Sequence, residues 1–288
     1  MTSHNIKAID AVVNIWTKEA LSHRPDWGDE FFTGKMRAED SRMAALSLHE
    51  MIQKMSAAGI DHGFLIAAKA GRPGLKGCYH MPPQVVADAI SEHPEHFSGL
   101  VGIDPFTGMD GVRELEYAVK ELGFIGAHLY PHWFELAPDH AKYYPFYAKC
   151  VELGVPIQMQ VGQSMIYSKD YPVRSVGQPI TLDAVACDFP ELKIIGIHVG
   201  IPWTDEMIAM AWKHENVFIG CDAHSPKYWP ESFVRYINSY GQNKVIFGTD
   251  FPVLDFQRTM DEIAAYEFKP GVMQKLLRDN VRRIYNLD

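Results

Sequence analysis

Two side chains suited to acid–base chemistry stand at equivalent points of two similar stretches. KIIGIHVGIPW (193–203) is an apolar run that ends in His198, and KVIFGTDFPV (244–253) is one that ends in Asp250. A short apolar run closed by one polar residue and then Gly or Pro is how a buried parallel strand hands over to a loop. Parallel α/β folds place their chemistry at the carboxyl ends of strands. An imidazole and a carboxylate there can pass a proton or ligate an ion; the bland alternative is that each caps a neighbouring loop.

Eight runs of this kind occur, at 7–16, 59–68, 97–105, 123–131, 155–162, 193–200, 216–223 and 244–252. Segments of helical period separate most of them, at 48–59, 82–94, 111–123, 144–154, 181–190 and 205–215, and several stop at Gly or Pro. Strand–helix alternation eight times over predicts an α/β fold, a (β/α)8 TIM barrel, with residues 1–288 as a single domain. The length of 288 residues suits this, since such barrels run to roughly 250 residues.

Period-two alternation assigns faces. Ile157, Met159 and Val161 oppose Gln158, Gln160 and Gly162; Ala127 and Leu129 oppose Gly126, His128 and Tyr130. In the first strand Ile9, Ala11, Val13 and Ile15 oppose Asp10, Val12, Asn14 and Trp16. With the apolar sets facing the helices, Asn14, Trp16, Asp104, His128, Tyr130, Gln160, His198, Asp222 and Asp250 face the interior near the carboxyl ends. Polar inward positions on most strands predict a lined pocket. Three long connections, 17–45, 69–81 and 163–180, fall on the same face and read as lids or binding loops. They carry Trp27, Phe31 and Phe32, then Lys69, Arg72 and Lys76, then Tyr167, Lys169, Tyr171 and Arg174. Aromatic rings with a few cations suit a planar carboxylate, although any single loop cation is more often simply solvated.

Bulk properties set limits. A hydrophobic content of 47% supplies a large core, and a net charge of −9 argues against nucleic acid or an anionic membrane as partner. Cys78, Cys150, Cys187 and Cys221 show no CxxC spacing, which predicts reduced thiols in a cytoplasmic protein. The start MTSHNIKAID has no signal-peptide core and no apolar run reaches transmembrane length. A monomer and a homodimer both remain open.

From strand four onward the chain resembles the amidohydrolase superfamily, in the branch that holds aminocarboxymuconate semialdehyde decarboxylase, resorcylate-type decarboxylases and related hydrolases. The matching pieces are GFIGAHLYP, FYAKCVELGVPIQMQVG, ACDFPELKIIGIHVGIPW, NVFIGCDA, VIFGTDFP and RDNVRRIYNLD, in the family's order. The resemblance implies a divalent metal held by a His-x-His or Glu-x-His pair after strand one, a His after strand five, often a His after strand six and an Asp after strand eight. Here those positions read Val12, Asn14, Gln160, His198 and Asp250. Valine cannot ligate and amides are weak ligands, so the expectation is no metal and no cofactor.

The leading expectation is a metal-independent hydrolase acting on a lactone, ester or related bond of a small cyclic or aromatic carboxylate. The alternatives are a non-oxidative decarboxylase of a similar acid, with Asp250 delivering the proton, and a non-catalytic binding barrel. Asp250, His198 and His128 are the expected catalytic residues; Asn14, Trp16, Tyr130, His132, Gln160, Arg174 and Asp222 are the expected substrate contacts. A pocket of low dielectric should raise the pKa of Asp250 toward neutrality, making it a better base.

Overall fold

The computed structural model describes residues 6–24, 30–37, 43–71, 78–168 and 171–287. Its strands follow the eight apolar runs: β1 (Ala8–Val13), β2 (Ile60–Ala67), β3 (Phe97–Gly102), β4 (Gly126–Leu129), β5 (Ile157–Gln160), β6 (Ile194–Ile197), β7 (Val217–Gly220) and β8 (Val245–Ile246). They pair in chain order, all parallel. β8 returns to β1 through Ala11 N–H to Phe247 O (3.0 Å), Asn14 N–H to Phe251 O (3.0 Å) and Asp250 N–H to Val12 O (2.8 Å), so the sheet closes as a barrel.

Helices α1 (Leu48–Ala57), α2 (Pro83–Glu92), α3 (Met109–Lys120), α4 (Tyr144–Leu153), α5 (Leu182–Asp188), α6 (Thr204–Lys213), α7 (Glu231–Ile237) and α8 (Phe256–Ala264) follow the strands in turn. Their ends are written locally. Ser47 and Glu50 form a reciprocal capping box at α1, and Gly154 in the left-handed conformation (φ 69°) ends α4. The outer faces of the strands and the inner faces of the helices share one large core.

A second, smaller cluster fills the barrel itself: Phe64, Ile66, Leu100, Ile195, Ile197, Phe218 and Ile246. The final helix, Asn280–Tyr285, adds Ile284 and Tyr285 to it and plugs the amino-terminal end. Gln158 Nε2 ties that plug to the wall, donating to Tyr285 Oη (2.9 Å) and Ala11 O (2.7 Å). The inward Gln158 therefore serves the barrel floor, and only the opposite end is left for a site.

The expected facing of β1 is corrected. Ile9 and Ala11 join the inner cluster together with Val12. Register shifts at Ala8/Ile9 and Asp10/Val13 break strict alternation, as a bulge does. Asp10 accepts from Thr249 Oγ1 (2.6 Å), Thr249 N (3.0 Å) and Val12 N (3.1 Å), binding β1 to the segment after β8. All four cysteines are unpaired, with Cys150 and Cys221 buried and Cys187 exposed. Among the described residues no helix is long and apolar enough to cross a membrane.

Candidate active site

Three neighbouring strands end in left-handed backbone. His198, Val199 and Gly200 have φ of 72°, 60° and 77°; Ala223, next after Asp222, has 63°, and Asp250 has 56°. Histidine and aspartate tolerate this region, but a β-branched valine does not. Each such residue costs about 1–3 kcal/mol and is held by its surroundings, here by Val199 N–H bonding Gly220 O at 3.0 Å. The turns aim His198 and Asp250 across the barrel mouth. Two glycines make room between them. A Cβ on Gly220 would stand 2.9 Å from Asp222 Oδ1, and one on Gly248 3.0 Å from Asp222 Cβ.

Hydrogen bonds lock the arrangement. Asp222 Oδ1 accepts from His198 N–H (3.0 Å), and its Oδ2 lies 3.2 Å from His198 Nε2. Asp250 Oδ2 lies 3.7 Å from the same nitrogen, while its Oδ1 accepts from Asn14 Nδ2 (2.8 Å). Gln160 Nε2 lies 3.0 Å from His198 Nδ1. An amide donor at Nδ1 leaves the imidazole proton on Nε2, between the two carboxyls. On the far side, Arg24 Nη2 donates to Asn14 Oδ1 (2.8 Å).

Burial sets the charges. It pushes His198 down to about 3 and Asp222 up to about 6. Asp250 is raised well above the usual carboxylate range, first by burial and then by the neighbouring Asp222 charge, against the pull of Asn14 and Arg24. Burial thus keeps the imidazole neutral at neutral pH and favours the protonated form of Asp250 over that of Asp222. The upward direction was expected, and a carboxyl whose protonated form is favoured this strongly suits an acid better than a base.

The cavity above these groups measures about 300 Å³. Asn14, Arg24, Tyr79, Tyr130, Gln160, His198 and Asp250 form its polar wall, and Leu21, Phe31, Phe32, Met165, Ile166 and Val253 its apolar one. Residues of 17–45 and 163–180 thus line it, as their composition suggested. Trp27, Arg72, Lys76 and Lys169 lie outside the described residues.

Of the expected site residues, Asn14, Trp16, Tyr130, Gln160, His198 and Asp250 line this cavity. Asp222 does not; it sits behind His198. His128 does not line it either: it is fully buried, with Nδ1 3.2 Å from Gln158 Oε1 and its ring edge-on to Tyr130, which does line the cavity. His132 is likewise buried, accepting from Val176 N–H at 2.9 Å. Burial holds both imidazoles neutral, at about 3. Arg174 is exposed, pairs with Glu135 at 2.5 Å and does not line the cavity. Asp104 is buried away from the cavity, its Oδ1 accepting from Phe106 N–H at 2.8 Å. Sequence reasoning missed Arg24, Tyr79 and Trp133. For Arg24 the only available signal was its place in SHRPDW, between Trp16 and Phe31.

The positions at which the resemblance implies metal ligands do not fit a divalent ion. Val12 offers no donor atom. Asn14 turns its amide nitrogen toward Asp250 Oδ1 and Phe251 O, and its oxygen is taken by a guanidinium. An ion on that oxygen would face the like charge of Arg24. What remains is one ligand atom each from His198, Asp222 and Asp250, mutually within 4.8 Å. These come from strands six to eight alone, so the strand-one half of the family's site is gone, and no step below is routed through an ion.

Comparison with known proteins places this architecture. A family model described as amidohydrolase matches residues 41–287. A γ-resorcylate decarboxylase from a Polaromonas species is 23% identical over 248 residues, covering 70% of this chain and 74% of the relative. A 2-amino-3-carboxymuconate-6-semialdehyde decarboxylase from Dictyostelium discoideum is 23% identical over 235 residues, 70% of this chain and 65% of the relative. Among solved structures, a TIM-barrel protein from Bordetella bronchiseptica superposes with a TM-score of 0.82 at 22% identity, over 98% of this chain and 99% of that one, which shows the shared fold. The chain belongs to the amidohydrolase family, in the branch that holds these decarboxylases, and it is an enzyme, a hydrolase or a carboxy-lyase.

Proposed function

We propose that the protein is a non-oxidative decarboxylase of a small hydroxylated aromatic carboxylate. The hydrolase reading favoured by the sequence gives way to its alternative, which the decarboxylase relatives support. One observation carries the choice. The carboxyl that opens onto the cavity, Asp250, is buried beside a second carboxyl, and both burial and that neighbour favour its protonated form. Hydrolysis without a metal needs a base to activate water, whereas loss of carbon dioxide from an aromatic ring needs an acid to protonate carbon.

The step balances with the residues present. Asp250 gives its proton to the ring carbon that bears the carboxylate. The carbon–carboxyl bond then breaks, its electron pair returns to the ring, and carbon dioxide leaves. The Asp250 carboxylate that remains faces the neutral His198 Nε2–H, 3.7 Å away, which steadies its charge. Solvent restores the balance after product release. The rings of Phe31 and Phe32 exclude water, and an apolar wall favours a carboxylate that is losing its charge.

The test is carbon dioxide release from a panel of hydroxybenzoates, 2,6-dihydroxybenzoate among them, followed alongside hydrolysis of aromatic lactones and esters. Release of carbon dioxide that is lost in Asp250→Asn supports the reading. Lactone or ester turnover without carbon dioxide overturns it and restores the hydrolase.

A further inference from the structure

Among the described residues that line the cavity, Arg24 is the one arginine or lysine side chain. Its guanidinium lies 4.6 Å from the ring of Trp16 and 5.3 Å from that of Tyr79. Nη2 is anchored on Asn14, while Nε is buried and has no hydrogen-bond partner among the described residues. A planar cation held between rings, with an unused donor, is built to receive an anionic oxygen in one orientation. Leaving that donor unmade in a buried site is costly unless a ligand completes it.

We propose that Arg24 receives the phenolate oxygen of the substrate, and so supplies at the Asn14 position the positive charge that the family's ion supplies in relatives. The proposal rests on the decarboxylase reading and names which of the substrate's two anionic groups the cation takes. A cation fixed on the departing carboxylate would stabilise a charge that disappears as carbon dioxide forms, which binds the ground state better than the transition state. A cation on the ring oxygen acts on a group the product keeps. It holds the hydroxyl ionised at neutral pH, and an ionised ortho oxygen feeds electron density to the carbon that Asp250 protonates. Arg24 and Asp250 bond opposite ends of the Asn14 amide, each at 2.8 Å, so adjacent substituents of one ring can meet both.

The experiment uses two phenols that cannot lose carbon dioxide. 2-Nitroresorcinol shows by its visible absorbance whether it is ionised; resorcinol stays neutral at the same pH. The parent enzyme should bind the nitrophenolate preferentially and lower the apparent pKa of the bound phenol. Arg24→Met should weaken nitrophenolate binding about tenfold or more, the loss of a charge-assisted bond, while resorcinol binding stays within about threefold. Arg24→Lys should keep part of the preference, and it carries the test if Arg24→Met does not fold; ligand-free melting curves report folding for both. No preference for phenolate in the parent, or equal loss for the two phenols in the variants, overturns the proposal. Asp250→Asn should keep the phenolate preference. If the parent prefers phenolate yet releases no carbon dioxide from any hydroxybenzoate, the decarboxylase reading falls and the anion site stands.

Discussion

Replacing Asp222 by asparagine should make the protein more stable and less active at once. Burial lifts this carboxyl from 3.8 to about 6. A rise of that size, at about 1.4 kcal/mol per pH unit, amounts to roughly 3 kcal/mol. The folded chain holds the proton up to about pH 6, whereas the unfolded chain releases it near pH 4. The stabilisation from proton uptake is therefore complete at low pH and lost as pH rises through about 6, and above that the ionised group is a liability to the fold. An asparagine side chain in its place would not titrate and would still accept the His198 N–H. After the weakening of that charge-assisted bond, a gain of about 1–2 kcal/mol at pH 8 should remain, with none at pH 4. That corresponds to a rise in Tm of a few degrees. Turnover should fall on the order of 10²-fold. The new amide nitrogen would face His198 Nε2, drive the proton to Nδ1 and turn the Gln160 oxygen toward it, which takes the Nε2–H away from Asp250. Urea unfolding of parent and variant across pH 4–8 reads the first effect, and carbon dioxide release the second. A variant less stable than the parent at pH 8, or a difference between the two that does not vary with pH, would refute the reasoning.

Other expectations are independent of that one. Asp250→Asn should lower turnover ~10²–10⁴-fold with ligand affinity changed little, and the parent rate should fall on the alkaline side as Asp250 loses its proton; parent-like turnover would make Asp250 structural. His198→Asn should also lose rate, and the double variant should lose less than the product of the two, because both act through one carboxyl. Elemental analysis of protein purified without chelator should find far less than one manganese or zinc per chain, with activity unaffected by chelator. About one ion per chain, lost in Asp222→Asn, would instead place a cation on the His198, Asp222 and Asp250 trio.

What the sequence revealed follows from which forces are local. Each barrel strand is buried on both faces, so it shows as an apolar run, and the polar residue that ends it shows as a break. His198, Asp222 and Asp250 were legible for that reason. Parity was weaker evidence, since it gives the face of a side chain and not its depth. His128 and Tyr130 share a face, yet Tyr130 reaches the cavity and His128 does not. On β1 even the face was partly wrong, because a register shift is set by pairing with β2 and leaves no local mark. Loop cations are the hardest. Arg174 and Arg24 look alike in sequence, but one found Glu135 at the surface and the other found the rings of Trp16 and Tyr79.

The two amides explain how a barrel of this family can keep two of its site residues while its ligands change. Asn14 and Gln160 stand where the resemblance implies metal ligands, and each bonds one of the retained groups, Asp250 and His198. An ion would hold those side chains by charge and demand their ionised or neutral forms together. An amide holds them by direction alone and leaves their protonation to burial. Gln160, donating to Nδ1, selects the tautomer with its proton toward the carboxyls. Asn14, donating to Asp250 Oδ1, leaves Oδ2 free to carry the acidic proton. Restoring histidine at 160 removes the amide but not the guanidinium on Asn14, so Gln160→His alone should recover no metal binding and should cost turnover by freeing the His198 ring. Only when Asn14→His and Arg24→Met are added does the charge balance favour a divalent ion. Manganese titration of the single and triple variants tests this order, and tight binding by the single variant would show that Arg24 does not exclude the ion.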